Sequence, residues 1–268
     1  MTHKLSGMVV RVATWNVNSV TARVERLVGW LDSAKPDVVC LQELKTTDEA
    51  FPAGQLADVG YQAATWGTGR WNGVAILSRL PIADVWRGWP DLPDFDGVAE
   101  PRALTATCGG VRVTCVYVPN GRELGHPHFD YKLRWLDSLT ASVAEPARGE
   151  LPYAVLGDFN IAPTDADVWD MSLFAESTHV TPAERAKLAD LEAQGLVEVL
   201  PRALKYDKPY TYWDYRQLAF PKNNGMRIDL VFGNAAFAGA VRDAYVDREE
   251  RKGKGASDHA PVVVDLDV

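Results

Sequence analysis

Val9-Val10-Arg11-Val12-Ala13-Thr14-Trp15 is a short apolar run ended by Asn16. After it the period changes: Val20, Val24, Leu27, Val28 and Leu31 recur at the spacing of one helical face, and a second apolar run, Asp37 to Gln42, follows. The stretch reads strand, helix, buried strand. Working outward, strands are expected at Tyr61 to Trp66, Val74 to Ser78, Arg102 to Cys108 and Val111 to Val118, with Gly109-Gly110 as the two-residue turn of a hairpin between the last pair. A helix carrying Phe129, Leu133, Leu136 and Val143 comes next, then strands at Tyr153 to Leu156, Ile228 to Phe232 and Pro261 to Leu266. Strands and helices interleaved over the whole length predict an α/β fold of two packed sheets flanked by helices. Asp91 to Glu100 and Leu200 to Gly225 read as long loops, which in compact domains tend to be functional.

Composition sets the outer limits. At 268 residues, 47% hydrophobic and 24% charged, the chain is long enough for one large core, so a single domain is expected over 9–268, preceded by a tail at 1–8. No run is long and apolar enough to span a bilayer, and Met1 to Gly7 lacks the apolar segment of a secretory signal, so a cytoplasmic protein with no membrane partner is expected. Cys40, Cys108 and Cys115 are odd in number, lack a CxxC spacing and sit in strand-like runs, which argues against disulfides and against zinc. The net charge of −8 opposes nucleic-acid binding unless acid is gathered at a metal and base is concentrated locally, for which Lys222 to Arg227 and Arg248 to Lys254 are the candidate strips.

The chemistry is suggested by where polar residues end the apolar runs: Asn16, Glu43, then Asp158 and Asn160 after Ala154 to Gly157, Asp229 in Arg227-Ile228-Asp229-Leu230, and Ser257-Asp258-His259 before the last strand. Taken singly, Asp158 with Asn160 fits an Asx turn and Asp258 fits a turn cap. Taken together they imply a site, because strand ends in a layered fold meet at one edge and uncompensated carboxylates there would repel one another. A cation resolves that repulsion, and oxygen donors select Mg²⁺, with Mn²⁺ as a substitute, over zinc. Glu43 is the expected principal ligand, with Asn16 and Asp258 nearby and phosphate on the substrate. His259 and Asp229 fit a dyad in which the carboxylate orients the imidazole, while Asp158 activates water or protonates the leaving group; the residues leave open which carboxylate does which. Tyr117 and Asn120, at the end of a strand, are candidate phosphate donors.

Six ordered motifs then resemble those of the exonuclease III family of AP endonucleases, bacterial branch, within the endonuclease/exonuclease/phosphatase superfamily: Trp15-Asn16-Val17-Asn18, Leu41-Gln42-Glu43-Leu44-Lys45, Tyr117-Val118-Pro119-Asn120-Gly121, Gly157-Asp158-Phe159-Asn160 through Asp165, Met226-Arg227-Ile228-Asp229 and Ser257-Asp258-His259-Ala260-Pro261. The resemblance spans about Val10 to Val264. It implies a four-layer α/β sandwich and a metal held among Asn16, Glu43, Asp158, Asn160, Asp258 and His259. It also implies an active-site tyrosine at Tyr117, a proton donor or acceptor at Asp158, a transition-state stabiliser at Asn160, and Asp229 orienting His259. The implied activity is incision of duplex DNA 5′ to abasic sites, with 3′-to-5′ exonuclease and 3′-phosphate removal; separately, a monomer is expected.

Relatives acting on inositol phosphates or sphingomyelin share the Glu, Asp-x-Asn and Ser-Asp-His elements, so the substrate assignment rests on two loops. Tyr210 to Arg216 resembles the segment lining the abasic-sugar pocket, which places Tyr212 and Trp213 there with Met226, and Lys222 opens the basic strip beside it. Arg70 is a candidate backbone-phosphate contact, a reading that weighs equally with a plain surface arginine at a turn. His126 and His128 flank Pro127 at a solvated helix start, without a third ligand in reach. Many bacterial members have Trp, Leu and Gln at the positions of Tyr212, Met226 and Asn120, so the balance between endonuclease and exonuclease is not implied. The rival readings are a lipid- or sugar-phosphate phosphatase and a DNA-binding scaffold without catalysis.

Overall fold

The structure is a computed structural model that describes residue 7 and residues 9–268; most of the expected tail at 1–8 lies outside the described residues. In chain order the first half contains β1 (Val9–Asn16), α1 (Val20–Ala34), β2 (Val38–Gln42), α2 (Ala53–Ala57), β3 (Gln62–Trp66), β4 (Val74–Ser78), β5 (Ile82–Arg87), β6 (Ala103–Cys108) and β7 (Val111–Tyr117). The second contains α3 (Pro127–Val143), β8 (Tyr153–Asp158), α4 (Pro182–Ala193), β9 (Val197–Glu198), β10 (Arg202–Ala203), α5 (Ala219–Lys222), β11 (Asp229–Gly233), α6 (Ala235–Ala240), β12 (Val241–Val246) and β13 (Val262–Asp267).

Two mixed sheets form, ordered β10-β12-β13-β1-β2-β4-β3 and β5-β6-β7-β8-β11-β9. Each has one parallel pair at its centre, made by a strand, a helix and a strand: β1 with β2 across α1, and β7 with β8 across α3. Strict apolar alternation fills the space between the sheets, with Val12, Val38, Cys40, Val74 and Ile76 facing Leu104, Ala106, Val113, Cys115 and Leu156. The opposite faces are covered by helices: Leu27, Trp30 and Leu31 of α1 lie on Trp15, Val39 and Leu41, and Trp135 and Leu139 of α3 with Leu191 of α4 lie on Val155 and Phe232. The result is the expected four-layer sandwich. All three cysteines are free and buried.

Side-chain chemistry explains the helix starts. Ser19 accepts from the backbone N–H of Ala22, and Thr181 and Glu184 form a reciprocal capping box on α4. The inward stripe of α3 is rotated from expectation, to Tyr131, Trp135, Leu136, Leu139 and Val143, because the larger aromatic side chains take the sheet face and leave Phe129 and Leu133 half-buried. The helix start is not simply solvated either. His126 caps the helix, whereas His128 is buried against Phe95 and Tyr131, accepts from the Gly121 N–H at 3.1 Å, and is held down to about 4, first by burial.

Candidate active site

Parallel pairing brings strand ends together. Asn16 pairs with Gln42 at the ends of β1 and β2, and Tyr117 pairs with Asp158 at the ends of β7 and β8. β11 runs antiparallel to β8, so its first residue, Asp229, stands opposite Asp158. β13, beside β1, is preceded by Ser257-Asp258-His259, and the Ser257 hydroxyl donates to the Asn16 carbonyl at 2.7 Å. Gly157 makes the join possible: its φ is +154° and a Cβ there would meet the Val116 carbonyl oxygen at 1.9 Å. Glu43 and Asn160 both have φ in the left-handed region, 54° and 52°, a conformation that costs a glutamate roughly 1 kcal/mol or more and persists where neighbours over-determine it.

Those neighbours are specific. The Asn16 amide donates to Glu43 Oε1 at 3.0 Å and to Asp158 Oδ2 at 2.9 Å, joining the two sheets. The Tyr117 hydroxyl donates to Glu43 Oε1 at 2.9 Å, and Lys45 Nζ lies 2.8 Å from Glu43 Oε2. Asn18 donates to Asp258 Oδ1 at 3.0 Å and accepts from Lys45 Nζ at 2.5 Å. His259 Nδ1 lies 2.8 Å from Asp229 Oδ2, leaving Nε2 directed at Asp158 Oδ2, 3.8 Å away. Asp158 Oδ1 accepts the Asn160 backbone N–H at 2.9 Å.

Charge is unbalanced here. Burial, then the charges of Asp229 and Glu43, push Asp158 up to about 7 against the pull of His259. Burial alone would lower His259, but Asp229 and Asp158 override it and raise the imidazole to about 10. Glu43 is lowered despite burial, through Lys45 and the Asn16 amide. Asp229 Oδ1 is buried with no hydrogen-bond partner among the described residues. Asp158, Asp229 and His259 present ligand atoms within 4.8 Å of one another, with Glu43 joined to Asp158 through Asn16. Carboxylate surplus, oxygen donors and an orphaned buried acceptor fit a divalent cation.

The family model described as the Endonuclease/Exonuclease/phosphatase family matches residues 13–259. The chain belongs to this family. It is similar to exodeoxyribonuclease III of Haemophilus influenzae, 28% identical over 94% of this chain and 98% of that protein, and to the DNA repair nuclease APEX1 of Danio rerio, 27% identical over 97% and 83%. Among solved structures it is similar to the 3′ phosphatase NExo from Neisseria bound to product DNA hairpin, at 39% identity and TM-score 0.90, covering 97% of this chain and all of that one. An AP endonuclease from Archaeoglobus fulgidus superposes with TM-score 0.89 at 30% identity, over 97% of this chain and all of that one.

As a member of a metal-dependent nuclease family, the protein presents these groups to a cavity of about 370 Å³ whose lining combines polar residues, Glu43, Tyr117, Asn120, Arg122, Asp158, Asn160, Asp258 and His259, with apolar ones, Phe174, Tyr212, Met226 and Ile228. Several candidates lie elsewhere. Trp213 does not reach the cavity: it is fully buried between the sheets, because its indole packs on Phe220 and donates to Asn223 at 3.2 Å. Lys222 is exposed at the end of α5 and lines no described cavity, and Arg70 is exposed over the Trp71 ring at 4.9 Å. The two basic strips are divided: Lys222, Lys252 and Lys254 are exposed, whereas the arginines are buried. Arg227 is buried between Asp167, at 2.7 Å, and Glu198, while Arg248 and Arg251 stack on Phe220 and lie buried.

Sequence reasoning missed several contributors, Arg122 and Phe174 in the cavity lining among them. His179 lines the cavity with Nε2 3.0 Å from Asn160 Oδ1 and 3.2 Å from the Asn120 amide nitrogen; burial, then Lys132, lower it to about 3, so the ring is neutral and its tautomer decides which of the two Nε2 bonds. Lys132 Nζ, fully buried, donates to the Asn160 carbonyl at 2.7 Å and to the Asn120 carbonyl at 3.3 Å. Lys45 and Asn18 stood inside quoted motifs but carried no role. No local pattern marks His179, whereas a lysine on the apolar face of α3 was a readable signal of a buried ion pair.

Proposed function

We propose that the protein is a Mg²⁺-dependent DNA-repair nuclease of one catalytic domain, monomeric and cytoplasmic, that incises duplex DNA 5′ to abasic sites and trims 3′ ends, including 3′-phosphates. One observation carries this: the cavity combines two unlike kinds of lining. Carboxylates, amides and an imidazole line it together with the thioether of Met226, the Tyr212 ring and Ile228, so a phosphodiester suits the first set and a sugar without its base suits the second. The relatives named as exodeoxyribonuclease, AP endonuclease and 3′ phosphatase support the same substrate class. No helix among the described residues is long and apolar enough to cross a membrane.

Glu43, with Asn16 and Asp258, would hold the ion, and Mn²⁺ would substitute; when bound it supplies charge neutralisation at the phosphoryl oxygens. The remaining work belongs to the chain. His259, kept protonated by Asp229, donates to a phosphoryl oxygen through Nε2. Asp158, near neutrality, exchanges a proton with the attacking water or the leaving oxygen. Asn160 gives one N–H to the Val118 carbonyl and keeps the other for the substrate. Tyr117, pushed well above its ordinary value by burial and then Glu43, stays protonated as a hydrogen-bond donor. The experiment is a labelled duplex with one tetrahydrofuran abasic analogue, with Mg²⁺ or EDTA. Mg²⁺-dependent incision 5′ to the analogue leaving a 3′-hydroxyl is expected; no incision and no end trimming would overturn the reading in favour of other phosphate esters.

A further inference from the structure

A second cavity, of about 300 Å³, adjoins the first and has no part in the chemistry above. Phe174, Tyr212 and Met226 line both, so the two cavities are neighbours with these side chains as a common wall. The rest of the lining includes Trp169, Leu173, Asp214, Arg216, Gln217 and Asn224. Trp169 is 37% and Leu173 59% exposed, apolar surface left open at a cavity mouth.

The wall is preformed. Single β-bridges run from Val168 to Met226, from Met226 to Tyr212, and from Tyr212 to His259. The Trp169 N–H donates to the Gly225 carbonyl at 3.1 Å, and Tyr212 and Met226 exchange backbone bonds of 2.9 and 3.0 Å. The imidazole of His259 and the Tyr212 ring are 5.0 Å apart between centroids. The His259 imidazole is therefore the direct neighbour of a ring that lines the second cavity.

The lining chemistry suits a base. Trp169, Phe174 and Tyr212 offer aromatic faces, Arg216 a guanidinium plane held by Asp214 at 2.8 Å, and Gln217 and Asn224 side-chain amides that make no hydrogen bond among the described residues. Ring faces bind any base by stacking, and uncommitted amides pair with base edges.

We infer that this cavity receives the nucleobase of the nucleotide whose phosphate is cut, when that base is unpaired. The inference rests on the nuclease reading and deepens it: an abasic site leaves the second cavity vacant, whereas a mismatched or frayed 3′ terminus fills it. A base in Watson–Crick pairing would first have to leave the stack, so unpaired ends are the favoured substrates.

The test uses the whole chain, Trp169→Ala and Trp169→Phe, with two duplexes: one ending in an unpaired 3′-terminal 2-aminopurine, the other carrying the base-free tetrahydrofuran analogue. In EDTA, wild-type protein should change the 2-aminopurine emission on binding, Trp169→Phe should retain the change and Trp169→Ala should lose it. With Mg²⁺, the ratio of base-bearing to base-free cleavage should fall about tenfold in Trp169→Ala, the scale of one lost base stack. No emission change in wild type, or equal losses on both duplexes in Trp169→Ala, would overturn the base cavity. An emission change without any cleavage by wild type would uphold the cavity and count against the nuclease reading instead.

Discussion

Two buried polar assemblies lie side by side in this molecule and differ in one respect. Around Lys132 charge is balanced: Nζ lies 2.5 Å from Glu184, whose carboxylate also accepts the His179 N–H at 2.8 Å and the Thr181 hydroxyl at 2.8 Å, and Lys132 pulls it down to about 2 against the effect of burial. Around Asp158 charge is not balanced, and Asp229 keeps an orphaned oxygen. Burial is common to both. The difference teaches that an unbalanced cluster, open to a cavity, is where a cation and a substrate are expected, whereas the balanced one is framework.

The comparison can be broken by mutation. Asp158→Asn should lower cleavage by about 10²- to 10⁴-fold in single-turnover assays while leaving the metal-free protein as stable or more so, since a like charge is removed. Unfolding of this variant at ordinary temperature would make Asp158 structural and erase the distinction. Lys132→Met should do the reverse, costing about 3–5 kcal/mol in urea unfolding because Glu184 is left buried and unpaired. Restoring part of that loss with Glu184→Gln in the same chain would sharpen the point, and no loss in the single variant would refute it. Mg²⁺ should stabilise only the unbalanced cluster: at about 100 times its Kd, thermal or chemical denaturation should show about 2.7 kcal/mol, and Glu43→Gln should remove most of the gain.

The dependence on pH separates the two assemblies by sign, which is opposite in the two. Asp158 has a folded value of about 7 against an ordinary 3.8, so its contribution to the metal-free protein is fully present below 3.8 and lost as pH rises through 7. His259, at about 10 against 6.5, contributes fully below 6.5 and loses its contribution as pH rises through 10. Glu184, at about 2 against 4.5, contributes above 4.5 and loses it as pH falls through 2. Melting in EDTA across this range should show a fall on the alkaline side that Asp158→Asn reduces and an acid-side fall that it leaves alone; an unchanged alkaline limb in the variant would contradict the assignment.

Legibility followed burial. β1, β2, β7 and β8 were readable because both their faces are covered, and their polar ends stood out against apolar runs. β5 escaped because it is an edge strand with almost every side chain exposed, so no alternation marks it. β12 is half-buried and interrupted by a register shift. α4 carried a readable capping box at Thr181-Pro182-Ala183-Glu184, but its apolar face is weak, with Leu188 and Leu191 as its buried leucines. At the site, side chains that end strands were visible, whereas His179 comes from an irregular segment and is placed only by tertiary contacts. The arginines of the basic strips misled because adjacency along the chain says nothing of exposure: Arg227 neutralises the buried Asp167 and the half-buried Glu198, and Arg248 and Arg251 are consumed by aromatic rings, while Lys222, Lys252 and Lys254 stay exposed.

β13 lies between β1 and β12, and the Trp15 indole donates to the His259 carbonyl across 244 positions. During synthesis β1 emerges early and waits with one edge open until the strand that closes it arrives, a contact order that favours slow folding and leaves a sticky template in the interval. That same delay is a safeguard: the histidine comes in with the closing strand, so a half-made chain has no complete site with which to cut the nucleic acid around it.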